Sequence, residues 1–333
     1  MTDALKNVGI LGTGSYAPPN IVTNDDLSRT MDTSDEWIRS RTGIGERRIA
    51  GPEVATSDLA FEAANRALVD AGIAASEIDL IVVATSTPDH PGSFPSTATI
   101  LQSRLQASKA SAFDLGAVCS GFSYALHVVA QMVRTGSVRY ALVVGAETLS
   151  RILNWSDRNT AVLFGDGAGA VVLGPTDEPG YLGGILGANG DGGCLLNVPA
   201  GGSRTPLTAD CIDAKTNTIF QNGREVYKFA VVTIGEAALQ ALASVGMTSA
   251  DVDCFIPHQA NIRIITKAAE RMELPWEKVF VNLDRYGNTS AASIPIALDE
   301  AVKTGAVTRG SLCVTVGFGA GLTWAANVFR WTK

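Results

Sequence analysis

Three side chains of this sequence have the types and spacing that covalent acyl chemistry requires. The first is Cys119, which stands where an apolar run, residues 112–118, gives way to an amphipathic stretch that continues to Val133. This pattern predicts a buried strand, a sharp turn and a helix that begins at or beside the cysteine. A helix N-terminus favours the thiolate because it carries partial positive charge and unpaired N–H groups. Cys119 is therefore a candidate nucleophile, with a buried structural thiol as the alternative.

His258 and Asn288 are the candidate partners of that thiol. His258 ends an apolar segment, residues 254–257, and α/β folds place active sites at the carboxyl ends of strands. Asn288 precedes a second amphipathic stretch. These three residue types suit a cysteine protease, in which histidine is the base, or carbon–carbon bond formation on thioesters, in which two neutral donors hold an enolate. No protease signature surrounds Cys119.

The elements that must position these residues occur in two copies. Residues 63–72 are echoed by residues 237–246, and each copy is a helical pattern that ends at glycine and leads into an apolar run. A second echo, at an offset of 169, relates residues 132–138 to residues 301–307. Two long copies of this kind predict a duplicated α/β domain rather than a solenoid.

The duplication has a consequence for the chemistry. The offset of 169 maps Cys119 onto Asn288, and both residues precede a long helical pattern. Two halves related by a pseudo-twofold axis would direct both side chains into one central cleft. We therefore expect an N-terminal half, residues 1–174, that carries the nucleophile, and a C-terminal half, residues 175–333, that carries His258 and Asn288.

Composition excludes several classes of function. The chain has 333 residues, of which 46% are hydrophobic and 18% charged, and its net charge is −7. These values favour a compact enzyme over a disordered chain or a general nucleic-acid-binding protein. The five cysteines have no metal-ligand spacing, so we expect free thiols and no metal. We also expect a cytoplasmic protein without a membrane partner, since neither a signal peptide nor an apolar run of spanning length is evident.

Several motifs together resemble β-ketoacyl-acyl-carrier-protein synthase III, a family of the thiolase superfamily. They are Ala-Val-Cys-Ser-Gly-Phe at 117–122, Phe-Gly-Asp-Gly-Ala-Gly-Ala at 164–170, Pro-His-Gln-Ala-Asn-Ile-Arg at 257–263, Gly-Asn-Thr-Ser-Ala-Ala at 287–292 and Gly-Phe-Gly-Ala-Gly-Leu-Thr-Trp at 317–324. The likeness covers essentially the whole chain. It implies the five-layered αβαβα thiolase fold, a homodimer and no cofactor, because the coenzyme A thioester is a substrate.

The resemblance also implies a reaction. Acetyl-coenzyme A would prime the enzyme, and malonyl-acyl carrier protein would be decarboxylated and condensed to acetoacetyl-acyl carrier protein, which starts bacterial type II fatty-acid synthesis. One alternative is a sibling condensing enzyme of secondary metabolism that is primed by another acyl- or aroyl-coenzyme A. A second alternative is a non-catalytic thiolase-fold subunit, although such subunits typically lack the nucleophile that this chain retains.

The resemblance assigns roles to the residues already singled out. Cys119 would be the acylated nucleophile, and His258 and Asn288 would promote malonyl decarboxylation and stabilise the enolate. The backbone N–H groups of Cys119 and Ala320 would form the oxyanion hole. Ala320 stands where many relatives have glycine, and a backbone donor survives that change if the backbone conformation is allowed for alanine.

Coenzyme A binding is implied for a further set of residues. Trp37 and Arg158 resemble the pair that holds the adenine between an indole and a guanidinium group, an arrangement suited to stacking. Thr33 lies nearby in the sequence, and Arg41 corresponds to the pyrophosphate region. Asn261 completes the set of candidate coenzyme A contacts.

The segment after His258 is the candidate surface for the carrier protein. Basic residues recur along one face of a predicted helix at Arg263, Lys267 and Arg271, and acyl carrier proteins are acidic. The predicted contact set is Gln259, Ala260, Asn261, Ile262, Arg263, Lys267 and Arg271. The alternative is an ordinary solvated helix face.

Phe94 is the candidate determinant of primer length. The sequence around it resembles the segment that, in this family, crosses the dimer interface and closes the acyl pocket of the partner. A phenyl ring would fill the volume that a longer acyl chain needs, so we expect a short primer. The alternative is a loop aromatic residue in the dimer core.

Overall fold

The computed structural model describes residues 5–333, in which two large β-sheets alternate with three layers of helices and two further sheets have two strands each. The strands are β1 Val8–Tyr16, β2 Ile21–Thr23, β3 Glu46–Arg48, β4 Leu80–Ala84, β5 Ser111–Leu115, β6 Ala141–Glu147, β7 Gly167–Pro175, β8 Tyr181–Ala188, β9 Leu196–Asn197, β10 Phe220–Gln221, β11 Cys254–Pro257, β12 Leu312–Gly319 and β13 Thr323–Arg330. The helices are α1 Asn24–Ser28, α2 Asp35–Thr42, α3 Thr56–Ala71, α4 Thr97–Arg104, α5 Gly121–Arg134, α6 Ala209–Asp213, α7 Gly223–Ser244, α8 Ile262–Arg271, α9 Leu283–Tyr286 and α10 Ser293–Lys303.

The two large sheets have the same strand order. In the first sheet the order is β1-β7-β6-β4-β5, and in the second it is β8-β13-β12-β11. β4 pairs in parallel with β5 and β6, as β11 does with β12, whereas the remaining pairs are antiparallel. A parallel bridge between Phe255 and Val279 extends the second sheet where the first has β5. This correspondence is the structural form of the sequence duplication.

Helices cover both faces of each sheet. α3 and α4 pack on the outer face of the first sheet, and α7 and α8 pack on the outer face of the second. Between the sheets lie α5 and α10, whose buried residues Phe122, Leu126, Ile294 and Leu298 belong to the central core. The result is five layers in the order αβαβα, which confirms the predicted thiolase-like fold class.

Helix α7 qualifies the expectation that no apolar run could cross a membrane. It is the one helix within residues 5–333 that is long and apolar enough to do so by length and composition. Its residues Ala230, Ile234, Ala238 and Leu242 are buried against the second sheet. α7 is therefore a core helix of the outer layer.

The predicted equivalence of Cys119 and Asn288 is wrong by three residues. Short 3₁₀ turns, Val118–Ser120 and Ser290–Ala292, directly precede α5 and α10, and both begin with a φ of +48°. Cys119 therefore matches Ala291 in backbone position. The offset between the two halves changes along the helices, because α10 has 11 residues and α5 has 14. The offset of 169 holds after the helices and does not apply to the turns before them.

Each of these turns packs against a glycine in the other half. A Cβ atom on Gly145 of β6 would lie 2.2 Å from the carbonyl oxygen of Ala291. A Cβ atom on Gly317 of β12 would lie 2.9 Å from the Cα atom of Ser120. Real Cβ atoms do not approach so closely, so glycine at both positions lets the two turns meet near the pseudo-twofold axis.

The strand that leads to Cys119 is less buried than its apolar sequence predicts. β5 is the edge of the first sheet, since it pairs only with β4 among the described strands. Ser111 is exposed, and 39% of the Phe113 surface is accessible. The apolar sequence pattern predicts the strand correctly. It cannot show that β5 lies at the edge of its sheet, with one neighbouring strand instead of two.

Candidate active site

Cys119 lies in a strained turn at the start of α5, and only 5% of its surface is exposed. Val118, immediately before it, has a φ of +48°, which a β-branched residue rarely adopts. Ser120 Oγ lies 2.7 Å from the carbonyl oxygen of Ala117 and 2.8 Å from Thr323 Oγ1. The surrounding contacts thus hold the turn in a costly conformation, as is common at active sites.

The thiol is more strongly protonated than its place before a helix suggests. Burial raises the pKa of Cys119 to about 12, the Ser290 hydroxyl partly opposes the rise, and the charge on Glu147 adds to it. Cys119 is therefore a protonated thiol at neutral pH, and it must lose its proton during the reaction to act as the predicted nucleophile. Removing water from around the sulfur disfavours the anion.

His258 follows β11 and is held by both backbone and ring contacts. Its backbone N–H donates a hydrogen bond of 2.8 Å to the carbonyl of Val316, and its ring packs edge-on to Phe318 with 5.3 Å between centroids. Only 1% of its surface is exposed. Burial lowers the pKa of His258 to about 3, so the imidazole is neutral and offers one N–H donor.

Asn288 is fixed through its backbone and through its side-chain oxygen. Its N–H donates to the carbonyl of Leu163 at 2.8 Å, and its carbonyl accepts from the N–H of Gly165 at 3.0 Å. Its Oδ1 accepts a hydrogen bond of 2.8 Å from the N–H of Ser290. Since Oδ1 is engaged, Nδ2 is the group left to donate, and no residue among 5–333 accepts from it.

One cavity of about 730 Å³ joins these three residues to the protein surface. Cys119, His258 and Asn288 line its inner end. Its mouth is lined by residues that the sequence assigns to coenzyme A: Trp37, Arg41, Arg158 and Asn261. Side chains from both halves of the chain therefore converge in one cleft, although the turn register differs from the predicted one.

Two guanidinium groups lie near the aromatic ring at the mouth. Arg41 and Arg158 lie 4.4 Å and 5.2 Å from the centroid of the Trp37 ring. A base stacked between the ring and Arg158 would separate them by about 7 Å, since each stacking contact is ~3.5 Å. Arg158 must therefore swing outward to admit a base, and among residues 5–333 its ionic partner is the exposed Asp32.

Thr33 and Asn261 occupy different roles near this ring. The hydroxyl of Thr33 is buried and has no hydrogen-bond partner among the described residues. Asn261 caps α8 by accepting from the N–H of Arg263 at 2.9 Å, and its Nδ2 donates to the carbonyl of Arg41 at 3.1 Å. Asn261 thus holds α8 against α2 at the edge of the mouth.

A second, smaller cavity of about 110 Å³ begins on the other side of the thiol. Cys119 and Ala320 share its wall, and the φ of Ala320 lies outside the left-handed region, so alanine is tolerated there. The remaining wall is mainly apolar and includes Leu149, Ile152, Phe164, Leu196, Val198 and Ile219. These residues come from distant parts of the chain, and of them only Phe164 belongs to a motif that the sequence reveals.

Phe94 does not reach this cavity in its own chain. It lies after the turn Pro91–Ser93, and 89% of its surface is exposed. The ring therefore makes few contacts within its own chain.

The predicted carrier contacts divide into buried and exposed residues. Gln259 is wrong as a surface contact, because it is 1% exposed and fully used inside the fold. Its Nε2 donates to the carbonyls of Pro257 and Phe280, and its Oε1 accepts from the N–H of Asn282. Ala260 and Ile262 are half-buried.

The three basic residues are exposed along α8, but each has a partner. Arg263 donates to a backbone carbonyl of α2 at 2.7 Å. Lys267 forms an ion pair with Glu270, and Arg271 forms one with Glu236. Surface pairs of this kind contribute ~0–1 kcal/mol, so they do not prevent an exchange of partners.

Glu147 is a buried acid near the thiol to which the sequence analysis assigns no role. It ends β6, is fully buried, and accepts hydrogen bonds from the loop that follows β4. Burial raises the pKa of Glu147 to about 7. A signal for it exists in the sequence, because an acidic residue closes the otherwise apolar run Ala141–Glu147.

Comparison with known proteins agrees with this geometry. The family description "3-Oxoacyl-[acyl-carrier-protein (ACP)] synthase III" matches residues 113–190, and that of its C-terminal part matches residues 242–331. A β-ketoacyl-[acyl-carrier-protein] synthase III of Caldanaerobacter subterraneus subsp. tengcongensis is 56% identical over 326 residues, which is 98% of each chain.

Solved structures share the whole fold. The 3-oxoacyl-[acyl-carrier-protein] synthase III of Aquifex aeolicus VF5 is 45% identical, with a TM-score of 0.90 over 97% of this chain and 100% of that one. The priming β-ketosynthase of the R1128 polyketide biosynthetic pathway is 36% identical, with a TM-score of 0.92 over 99% of this chain and 98% of that one. The resemblance read from the motifs is thereby confirmed.

Proposed function

The chain belongs to the β-ketoacyl-acyl-carrier-protein synthase III family, and we propose that acetyl-coenzyme A is its primer and Cys119 its acyl carrier. It is an acyltransferase that condenses an acyl-coenzyme A with malonyl-acyl carrier protein and so initiates fatty-acid synthesis. The role in secondary metabolism is not favoured, because the curated relatives of 50–56% identity carry the fatty-acid enzyme's name.

The observation that carries the residue assignment is the convergence of Cys119, His258 and Asn288 at the inner end of one cavity. In the first half-reaction the Cys119 sulfur attacks the thioester carbonyl, and the N–H groups of Cys119 and Ala320 stabilise the oxyanion. The carbon–sulfur bond to coenzyme A then breaks. The proton of the Cys119 thiol ends on the coenzyme A sulfur, so the step needs no net proton exchange.

The second half-reaction uses the two neutral donors. The malonyl thioester loses carbon dioxide, and the electron pair of the broken bond forms an enolate whose oxygen accepts from His258 and from Asn288 Nδ2. The enolate carbon attacks the acyl group on Cys119. The Cys119 sulfur leaves as a thiolate and takes one proton from water, so the half-reaction consumes one proton. Donors placed for a developing anion contribute about 10²–10³ in rate each.

A short primer is supported by the cavity beyond the thiol. Its volume of about 110 Å³ is roughly a seventh of the main cavity, and its wall is mainly apolar. Each buried methylene gains ~0.8 kcal/mol, but an overfilled site costs ~1–3 kcal/mol. In our proposal Phe94 of a second copy narrows this pocket further, which favours acetyl over longer groups.

Coenzyme A binding at the mouth is supported by residue chemistry. Trp37 and Arg158 provide two faces for the adenine once Arg158 swings outward, and Arg41 supplies positive charge for the phosphates. The amide of Asn261 lies at the same mouth. Thr33 does not line the cavity, but its buried hydroxyl has no partner among the described residues. We propose these five residues as the coenzyme A contacts.

The carrier protein would dock on the exposed basic face of α8. Arg263, Lys267 and Arg271 are exposed, and their weak surface pairs can be exchanged for acidic groups of the carrier. The face lies beside the mouth, because Asn261 caps the same helix and lines the cavity. Gln259 is not part of this proposal.

A homodimer is supported by the exposed edge of the first sheet. β5 has an unpaired edge and an exposed Phe113, and exposed edges of this kind pair with another chain unless they are protected. Phe94 is a second exposed aromatic residue in the same half. We propose a cytoplasmic dimer that needs no metal or redox cofactor.

We further propose that the chain divides after β7, one residue later than the predicted boundary between residues 174 and 175, because β7 ends at Pro175. Strands of the first sheet lie within residues 8–175, and those of the second lie within residues 181–330. The helices between the sheets come from both halves, so the halves share one core.

Intact-protein mass spectrometry with a panel of acyl-coenzyme A thioesters tests the proposed function. Acetyl-coenzyme A should add one acetyl group, located at Cys119, and should do so faster than decanoyl-coenzyme A. Malonyl-acyl carrier protein should then discharge the adduct to acetoacetyl-acyl carrier protein. Failure to form any adduct, or efficient priming by decanoyl-coenzyme A, would contradict the proposed primer and site.

A further inference from the structure

Glu147 accepts hydrogen bonds from several donors of the loop that follows β4. The backbone N–H of Ser86 lies 3.1 Å from both carboxylate oxygens. The Thr87 hydroxyl donates to Oε2 at 2.5 Å, and the Thr85 hydroxyl does so at 3.3 Å. Three consecutive residues after β4 are therefore held by one carboxylate that is fully buried. No described residue pairs with Glu147 as a cation, so its partners are all neutral donors.

The loop held by Glu147 forms part of the acyl pocket. Ser86 lines the small cavity beside Cys119, and Ser290 lines it from the other half of the chain. Burial raises the pKa of both Glu147 and Cys119, and the hydroxyl of Ser290 partly opposes each rise, although it makes a well-aligned hydrogen bond to neither. Glu147 is thus adjacent to the pocket wall without facing the substrate.

The same loop leads to the segment that carries Phe94. The Thr87 carbonyl accepts from the Thr56 hydroxyl at 2.5 Å, and the N–H of Thr148 donates to the Thr87 hydroxyl at 2.9 Å. A few residues later the chain reaches Phe94, which is 89% exposed. The contacts of Thr87, together with those of Asp89 to Ser57 and Thr97, therefore fix where the Phe94 segment leaves the core.

We infer that Glu147 is a positioning residue that sets primer length, by holding the Ser86 wall of the acyl pocket and the base of the Phe94 segment. This inference rests on the proposed function, because it assigns primer selection to the pocket beside Cys119. Glu147 would act on the first half-reaction only. It is not a catalytic residue, since it does not contact the reacting atoms.

The substitution Glu147→Gln removes this function with little change of shape. It replaces one acceptor oxygen by an NH₂ group, which faces the N–H of Ser86 and the hydroxyl of Thr87. Buried donors without acceptors are costly, so the loop should move away from the amide. The pocket then widens, and longer acyl groups should gain most.

The decisive quantity is the rate at which hexanoyl-coenzyme A acylates Cys119, divided by the rate for acetyl-coenzyme A. Both rates are measured by intact-protein mass spectrometry. We expect Glu147→Gln to raise this ratio about tenfold. Condensation of a preformed acetyl-enzyme with malonyl-acyl carrier protein should stay within about twofold of the unmodified enzyme. A purely structural role would instead slow all substrates and both half-reactions together.

Asp299 offers a second buried carboxylate as a control. It accepts from two hydroxyl groups, those of Thr13 and Ser15, and also from the ammonium group of Lys303, but it lies on α10 against β1 and lines neither cavity. Asp299→Asn should lower stability without changing the ratio. If Glu147→Gln does not fold, Thr87→Val removes the shortest contact to Glu147 and should raise the ratio about threefold.

The outcomes separate the inference from the function on which it rests. An acyl adduct on the unmodified enzyme, together with an unchanged ratio in the folded variant, would overturn the inference alone. An equal change of ratio in Asp299→Asn would also overturn it. Absence of any adduct on the unmodified enzyme would overturn the proposed function first.

Discussion

The two ends of the main cavity are built differently. At the inner end Cys119, His258 and Asn288 are at most 7% exposed, and the backbones of His258 and Asn288 are hydrogen-bonded to neighbouring segments. At the mouth 43% of the Arg158 side chain is exposed, and its ionic partner Asp32 is fully exposed. The inner end is therefore fixed before substrate arrives, whereas the mouth can rearrange.

This difference separates chemistry from recognition. Substitutions at the inner end should remove interactions that exist only in a transition state, and these appear in kcat. Substitutions at the mouth should remove binding that is similar in the ground and transition states, and these appear in KM. Substitutions at the two ends can therefore test whether chemistry and recognition are separate.

Replacing the nucleophile should abolish acyl-enzyme formation. No other group at the inner end can carry the acyl chain, so Cys119→Ala should lose on the order of 10⁴-fold or more in turnover. Intact mass after incubation with acetyl-coenzyme A provides the measurement. Cys194→Ala is the control, because Cys194 is an exposed thiol. The Cys194→Ala protein should be acylated normally. An adduct of normal yield on Cys119→Ala would exclude Cys119 as the acyl carrier.

Removing one enolate donor should impair condensation but not priming. Asn288→Asp keeps the oxygen that accepts from Ser290 and replaces the free amide donor by a second acceptor. Condensation of the acetyl-enzyme should fall by about 10²–10³, measured in a single turnover with malonyl-acyl carrier protein. A comparable fall in the rate of acetylation would mean that the two half-reactions share this residue.

At the mouth the expected effect is smaller and is confined to binding. Arg158→Ala removes one stacking face, so KM for acetyl-coenzyme A should rise about tenfold while kcat changes less than twofold. Arg139 is the matched control, because its guanidinium lies 4.8 Å from the Tyr140 ring outside the cavity. If Arg158→Ala lowered kcat more than KM rose, the mouth would take part in the chemistry.

The smallest effect should be on carrier docking. Arg263→Glu reverses one charge on α8, so KM for malonyl-acyl carrier protein should rise about fivefold at low salt and less at high salt. Arg309→Glu, at another exposed ion pair, should leave that KM unchanged. Equal damage to the KM of acetyl-coenzyme A would show that Arg263 supports the mouth rather than the carrier.

The fold and the reactive residues are predictable because their signals are local. A helical pattern that stops at glycine occurs twice, and Cys119 and His258 each follow an apolar strand. The position of Asn288 relative to its turn is not predictable in this way, because it depends on the lengths of α5 and α10. Asn288 nevertheless lines the cleft.

Features made by distant segments escape a reading of the sequence. The acyl pocket joins residues as far apart as Ser86 and Ala320, and Glu147 shows its importance only through the loop that it holds. The protonation of Cys119 is also a property of the assembled core, since burial of the sulfur raises its pKa. Gln259 likewise has a polar side chain whose hydrogen bonds are all made to backbone groups inside the fold.

The central claim is that neutral His258 donates to the enolate and is not the obligate base for Cys119. The most direct test is the rate of acetyl-enzyme formation in His258→Ala, followed by its discharge with malonyl-acyl carrier protein. We predict that acetylation stays within about tenfold of the unmodified rate and that condensation falls by 10²–10³. Acetylation lost as completely as in Cys119→Ala, with the fold intact, would contradict the account.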